Sequence, residues 1–296
     1  MTESPSVRRR LLGSALRRHR EAAGYNLQDA AEMLECDRSK LSRIETGQRG
    51  IRPKELRELL TEFGVADQEM TALVAIAGGG RKTHGWWAEF GEALPALRRE
   101  FFALEMAATR IQVYEPRHIP DLLQTAEYAA VVADAGLLET REVSAEVTLA
   151  RQRAILKERQ PHLAVVIDEA ALRRAVGGPE VMRDQLDKLA GAAGDAQGVT
   201  IQVMPFTSGV PAMGISGPAT VLRFTNAPGS GVVYLPLLGH SGACLIERAE
   251  VASYSAAFTE LTKAALTVPE SARLLRRRAA ETAAGWHGGD GGADDI

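Results

Sequence analysis

Between residues 38 and 43 the chain reads Arg38-Ser39-Lys40-Leu41-Ser42-Arg43. Long cationic donors stand there beside short hydroxyls, the side-chain set that hydrogen-bonds base edges and phosphates of a duplex. Groups that could carry catalysis do not converge elsewhere. The histidines His19, His84, His118, His162, His240 and His287 show no helical or motif spacing to one another. Asp168 and Glu169 are adjacent, so their side chains diverge, and at a strand-to-helix junction they read as a cap and a first-turn acid. His118 and Asp121 are separated by Pro120 and have no third ligand in sight. Gly239-His240-Ser241-Gly242-Ala243 ends in alanine where a nucleophile elbow requires glycine. In Gly80-Arg81-Lys82-Thr83, Arg81 interrupts the Gly-Lys-Thr of a phosphate loop. Cys36 and Cys244 are far apart and lack metal-ligand spacing, so both are expected to be reduced and structural. No catalytic residue, no metal and no cofactor is expected.

The basic run must be presented by a helix. Leu12, Leu16, His19 and Ala23 step by four, three and four residues along one helical stripe, with Gly24 at the C-cap position. Asn26 caps a second, short helix that has Asp29 in its first turn and Leu27, Ala30, Ala31 and Leu34 inward. Glu35 and Cys36 form a tight connection, Asp37 caps a third helix over residues 38–46 with Leu41 and Ile44 inward, and Gly47 ends it. Two short helices joined this way are a helix-turn-helix arrangement, and Arg38, Ser39, Ser42 and Arg43 fall on or near the face opposite Leu41 and Ile44. Pro53 opens a fourth helix carrying Leu56, Leu59, Leu60 and Phe63, and Asp67 caps a fifth that reaches Ala77.

The whole chain has 296 residues, 45% hydrophobic and 25% charged, enough for about two domains with real cores. Its formal charge of -3 excludes indiscriminate coating of nucleic acid. That mean hides a split: residues through Lys54 hold 12 Lys and Arg against 7 Asp and Glu, so a small basic domain precedes a larger acidic one. No apolar run has the ~20 residues of a membrane helix, and Arg8, Arg9 and Arg10 are not followed by a signal-peptide core, so a cytoplasmic protein with no membrane partner is expected.

The stretches Gly24-Tyr25-Asn26-Leu27-Gln28-Asp29-Ala30-Ala31 and Asp37-Arg38-Ser39-Lys40-Leu41-Ser42-Arg43-Ile44-Glu45-Thr46-Gly47 resemble the Xre family of phage-repressor-like regulators, over roughly residues 11–77. The resemblance implies a five-helix DNA-binding domain. Gln28 would meet a phosphate or orient the reading helix, and Arg38, Ser39, Lys40, Ser42 and Arg43 would make base-edge and backbone contacts. Glu45 would tie the helix end to its neighbours.

Gly78-Gly79-Gly80 breaks the pattern and is read as a hinge, with residues 78–88 as linker and Trp86, Trp87 and Phe90 anchoring it to the larger domain. Helices are expected around Leu97 to Arg110, Asp121 to Ala135 and Val143 to Glu158, and on both sides of Pro179 with Met182, Leu186 and Leu189 inward. Further helices run from Arg248 to Leu266 and from Glu270 to Ala280. Strands are expected at 163–167, Val199 to Met204, Thr220 to Thr225 and Gly231 to Leu235, which makes residues 89–280 an α+β domain. Residues 281–296 are small and acidic and are expected to be a disordered tail. Met204, Phe206, Met213 and Phe224 read either as ordinary core or as the lining of an apolar ligand pocket.

This larger portion resembles the C-terminal domain joined to Xre-type domains in many actinobacterial regulators, the WhiJ-like group. The residues that carry it include Tyr114-Glu115-Pro116, Ile119-Pro120-Asp121-Leu122-Leu123-Gln124-Thr125-Ala126-Glu127-Tyr128, Arg151-Gln152-Arg153, Ile167-Asp168-Glu169-Ala170-Ala171-Leu172-Arg173 and Val203-Met204-Pro205-Phe206. It departs at Asp121, where glycine is usual, at Val210-Pro211, where His-Pro is usual, and at Leu235, where glutamate is usual. The expectation is a sequence-specific transcriptional regulator that binds double-stranded DNA as a homodimer, its larger domain receiving a small-molecule effector or a small partner protein. The departures keep an alternative open: a recruited, cyclase-like biosynthetic enzyme holding a small apolar substrate beside a vestigial DNA-binding domain.

Overall fold

The computed structural model describes residues 6–78, 85–135, 145–193, 198–214, 216–225, 230–237 and 242–283. The N-terminal unit is helical: α1 Val7–Ala22, α2 Leu27–Met33, α3 Arg38–Glu45, α4 Pro53–Glu62 and α5 Asp67–Gly78. Local chemistry sets each start. The Ser6 hydroxyl accepts the Arg9 N–H. Asn26 Oδ1 accepts from Gln28 and Asp29 while Asp29 accepts the Asn26 N–H, a reciprocal capping box. Asp37 accepts the Lys40 N–H at 2.7 Å. Leu16, Leu41, Ile44, Leu56, Leu59 and Leu60 are all sealed from solvent between these helices.

A 3-10 segment, Trp86–Ala93, follows, with Gly91 at φ 55 where its path kinks. Trp86 packs on Phe102 with ring centroids 4.7 Å apart, the anchoring role read for it. Of the expected hinge, Gly78 closes α5, while Gly79 and Gly80, the Arg81-Lys82-Thr83 run and the tail beyond Ala283 lie outside the described residues.

The larger domain is α+β, as expected. Its elements are α6 Ala96–Ala107, β1 Arg110–Glu115, a 3-10 turn at Asp121–Leu123, α7 Ala126–Asp134, α8 Ala145–Gln152 and a π-helical stretch Arg153–Arg159. Then come β2 His162–Asp168, α9 Glu169–Leu172, α10 Gly178–Ala192 and β3 Val199–Met204. After a 3-10 turn at Phe206–Ser208 the chain forms β4 Ala219–Arg223, β5 Gly231–Leu235, β6 Ala243–Leu245, α11 Arg248–Ala264 and α12 Val268–Ala283.

The six strands form one sheet in the order β3-β2-β1-β4-β5-β6. β1, β2 and β3 are parallel, with helices in the connections, whereas β4, β5 and β6 continue antiparallel from β1. The central strand, β1, corrects the expected helix end: α6 stops at Ala107 and the chain turns extended from Arg110. Ile111 and Val113 face the helical layer of α6 to α10, and Tyr114 faces α11, an alternation already present in Ile-Gln-Val-Tyr. The expected helix from Asp121 is likewise two pieces, because Gln124 is extended and Thr125 caps a fresh start at Ala126.

The two units touch. The Val7 N–H at the head of α1 donates to Glu100 Oε2 of α6 at 2.7 Å, placing a carboxylate where the α1 dipole favours one. No described helix is long and apolar enough to cross a membrane.

Candidate nucleic-acid interface

Helix α3 is held from behind by a bidentate ion pair that spacing could not announce. Arg20 of α1 donates from Nε and Nη2 to the two oxygens of Glu45 at 2.7 and 3.0 Å, with both side chains buried. The same guanidinium gives its third bond to the Tyr25 carbonyl at 2.8 Å, fixing the turn before α2. Glu45 thus ties the end of α3 to its neighbours, as read from sequence, and Arg20 is the partner that the sequence left unidentified. Arg18 and His19 reach Glu69 of α5 at 2.9 and 3.1 Å and brace α1 from its other side.

At the crossing of α1 and α3 only glycine fits. A Cβ on Gly13 would stand 2.4 Å from the Ile44 carbonyl oxygen and 2.5 Å from that of Glu45. Gly47 ends α3 at φ +75 and lies against the Arg10 backbone, where a Cβ would be 2.9 Å from Cα.

With its back fixed, α3 presents Arg38, Ser39 and Arg43 to solvent and leaves Ser42 half-buried beside them. Arg43 Nε rests on the Ser39 carbonyl at 3.4 Å, a weak contact that a base edge can replace. Gln28 is exposed at the head of α2, its amide donating to Glu32 at 2.8 Å. Lys40 departs from this group: its ammonium turns toward Glu55 of α4 at 3.5 Å. Of the six expected DNA-contacting residues, Gln28, Arg38, Ser39 and Arg43 are exposed, Ser42 is half-buried and Lys40 is drawn toward α4.

Glu55 binds the border between α3 and α4 together. It accepts from the Arg52 side chain at 2.6 Å and from the Arg52 backbone N–H at 3.1 Å. Hydrogen bonding from Arg52, against an opposing push from burial, lowers its pKa from 4.5 to about 2. A carboxylate depressed in the folded state stabilises it fully above the unfolded value. The stability gap between the protein and its Glu55→Gln variant is therefore expected to shrink as the pH falls from 4.5 toward about 2, as acid unfolding curves would show. Beside this border lies a groove of about 610 Å³ lined by α1, the loop after α3 and the start of α4.

The apolar group read as a possible pocket is not brought together. Met204 and Met213 are buried in the core between sheet and α11, Phe224 is buried on the opposite face, and Phe206 is 56% exposed. The Arg173 guanidinium lies over the Phe206 ring at 5.1 Å. Strand parity separates Met204 from Phe224.

The larger domain instead holds a cavity of about 200 Å³ just beyond the end of β1, where the sheet changes from parallel to antiparallel. Its walls include Arg98, Glu115, His118, Asp121, Arg151 and Tyr234. Arg151 is clamped bidentately by Glu105 at 2.7 and 2.8 Å and reaches Asp121 at 3.1 Å. Burial works against its charge, yet Glu105 and Asp121 prevail and raise its pKa. For Asp121, burial favours the neutral acid, but Arg151 and Arg98 hold it ionised. Arg98 also donates to the Tyr234 hydroxyl at 3.1 Å, and the Tyr234 ring stacks on Phe101 at 4.3 Å.

Asp168 caps α9 by accepting the Ala170 N–H, and Glu169 is engaged by Arg173 and Arg278, so this acid pair is structural. Burial pushes the Cys244 thiol up to about 12, which favours the thiol over the thiolate. Among the described residues no group of three His, Cys, Asp or Glu is arranged to hold a metal. Of the elbow-like sequence, residues 239–241 lie outside the described residues.

A helix-turn-helix domain model matches residues 11–73. A second model, described as a domain of unknown function, DUF5753, matches residues 98–277. Neither the curated proteins nor the solved structures provided a match.

Proposed function

Because the chain belongs to the DUF5753 family and carries a helix-turn-helix domain ahead of that region, we propose that it is a sequence-specific transcriptional regulator of the Xre, WhiJ-like type. The observation that carries the reading is the solvent-facing set Arg38, Ser39 and Arg43 on a helix locked from behind by Arg20 and Glu45. Donors held rigidly at helical spacing can enter a major groove together without an ordering cost at the moment of binding. The protein acts as a homodimer on double-stranded DNA, its two reading helices meeting half-sites about 34–36 Å, or a multiple of that, apart.

In this reading the larger domain receives an effector in the cavity at the end of β1. The concave walls, with Arg98, Arg117 and Arg151 against Glu115 and Asp121, favour a small molecule over a partner protein. The route to the DNA-binding unit is short: α6 carries Arg98 and Phe101 at the cavity and Glu100 at the head of α1. An effector that displaces α6 would act on that bond, biasing how the two units sit.

The test is binding of the purified protein to the DNA upstream of its own gene across a salt series. Binding is expected to fall linearly on a log–log plot with salt, through counterion release. Replacing Arg43 with alanine is expected to cost about 1–3 kcal/mol, roughly 5- to 150-fold in affinity, at the preferred site. Equal binding of every duplex, or an unchanged affinity in the variant, would remove the assignment.

A further inference from the structure

Among the described residues, the groove beside α3 has a charge that its own carboxylate does not balance. Five cations line it, Arg8, Arg9, Lys40, Arg49 and Arg52, against the single carboxylate of Glu55. Glu55 is already committed to Arg52 at 2.6 Å and to Lys40 at 3.5 Å. Among the described residues no carboxylate comes within ion-pair distance of Arg8, Arg9 or Arg49. Arg8 is recessed, and burial, which Glu100 opposes and Arg9 reinforces, disfavours its charge. Like charges gathered in one groove, Arg8 among them recessed, raise the free energy of the empty groove, and an anion of matching charge lowers it again.

Shape narrows the anion. The groove reaches down to Leu12, Gly13 and Ile44, the layer where α1 and α3 pack. Its volume of about 610 Å³ falls within the range of small-molecule sites and exceeds what one phosphate fills. The outward side chains Arg38, Ser39, Ser42 and Arg43 do not line it, so a duplex seated on them does not account for it. Lys40 and Ile44 belong to both α3 and the groove, and of the two only Lys40 carries a charge.

We infer that this groove binds a free metabolite bearing a chain of phosphates, of the nucleoside triphosphate class, through Arg8, Arg9 and Arg49. Resting on the regulator reading, a bound polyphosphate occupies Lys40 and reverses the positive potential beside α3, so it weakens duplex binding.

The test is calorimetric titration of the full chain with ATP, with inorganic tripolyphosphate and with sulfate, at matched ionic strength and without divalent cations. ATP and tripolyphosphate are expected to bind roughly tenfold or more tighter than sulfate. The exposed pair is changed in the double variant Arg9→Gln/Arg49→Gln, which is expected to keep its melting temperature and lose roughly tenfold or more of that affinity. Polyphosphate binding no tighter than sulfate, or indifferent to the double substitution, overturns the inference. So does a double variant whose only change is a shallower salt slope on DNA, since the groove then seats duplex phosphates. Polyphosphate binding by a protein that holds no duplex at any salt leaves the inference standing and removes the regulator reading; the reverse pattern removes this inference alone.

Discussion

Replacing Arg151 with methionine is expected to destabilise the larger domain by about 3–5 kcal/mol, the cost of leaving a buried partner charge uncompensated. Glu105 lies fully enclosed in α6, and both its oxygens accept from this one guanidinium. Asp121 would lose its 3.1 Å bond at the same time, keeping only the 3.5 Å contact from Arg98. The guanidinium also stacks over Phe101 and Phe102 at 5.4 and 5.5 Å, packing that methionine restores only in part. Urea unfolding read by circular dichroism measures the loss. The double variant Glu105→Leu/Arg151→Met is the decisive companion, because an apolar pair of similar volume is expected to recover most of the deficit. A single variant within about 1 kcal/mol of the parent would mean that Glu105 reaches solvent or another donor, and that the network is not the keystone of α6.

Gly13→Val is expected to abolish operator binding and to lower the stability of the N-terminal unit by about 3 kcal/mol, at the upper end of overpacking costs. The atoms that a side chain would meet are the carbonyl oxygens of Ile44 and Glu45, at 2.4 and 2.5 Å from the first added carbon. Backbone oxygens cannot rotate aside as a side-chain tip can, so α3 must move away from α1. That movement strains the Arg20 to Glu45 bonds, which set the angle at which Arg38 and Arg43 are offered. Ser14→Val, one residue on and exposed, introduces the same β-branched group without the contact and is expected to leave DNA binding near the parent's. Thermal unfolding with fluorescence anisotropy on labelled DNA separates the two variants. Equal behaviour would show that α1 and α3 have slack at their crossing.

Much of the DNA-binding unit could be read along the chain because its determinants are local. Asn26 with Asp29, Asp37 before Arg38, Pro53 at a first turn and Gly47 at a helix end act within a few residues, and each stands where it was expected. The outward set on α3 followed from the 3.6-residue period once Leu41 and Ile44 were taken as inward. Lys40 did not follow, since its direction depends on Glu55, fifteen positions away on another helix.

The larger domain was less legible where elements meet in space. The central strand β1 went unread although Ile111, Gln112, Val113 and Tyr114 alternate, because six residues between helical stretches give a weak period-two signal. Met204 and Phe224 looked like neighbours in an apolar pocket, whereas the register that pairs β3 with β2 and β4 with β1 puts them on opposite faces. The cavity at the end of β1 draws Arg98, Glu115, Asp121, Arg151 and Tyr234 from widely separated segments, and none is marked by spacing.

The sequence by itself determined which segments become helices in the small domain, where they begin, and which side chains of α3 face outward. Caps, turns and side-chain period are short-range terms that act whatever the rest of the chain does. Only the tertiary structure decided which charges are matched. It pairs Arg20 with Glu45 and Arg151 with Glu105, and among the described residues it gathers Arg8, Arg9 and Arg49 around one groove with no carboxylate at ion-pair distance. Charge compensation depends on distance and desolvation between residues far apart in the chain, and those are set only when the helices and the sheet have packed.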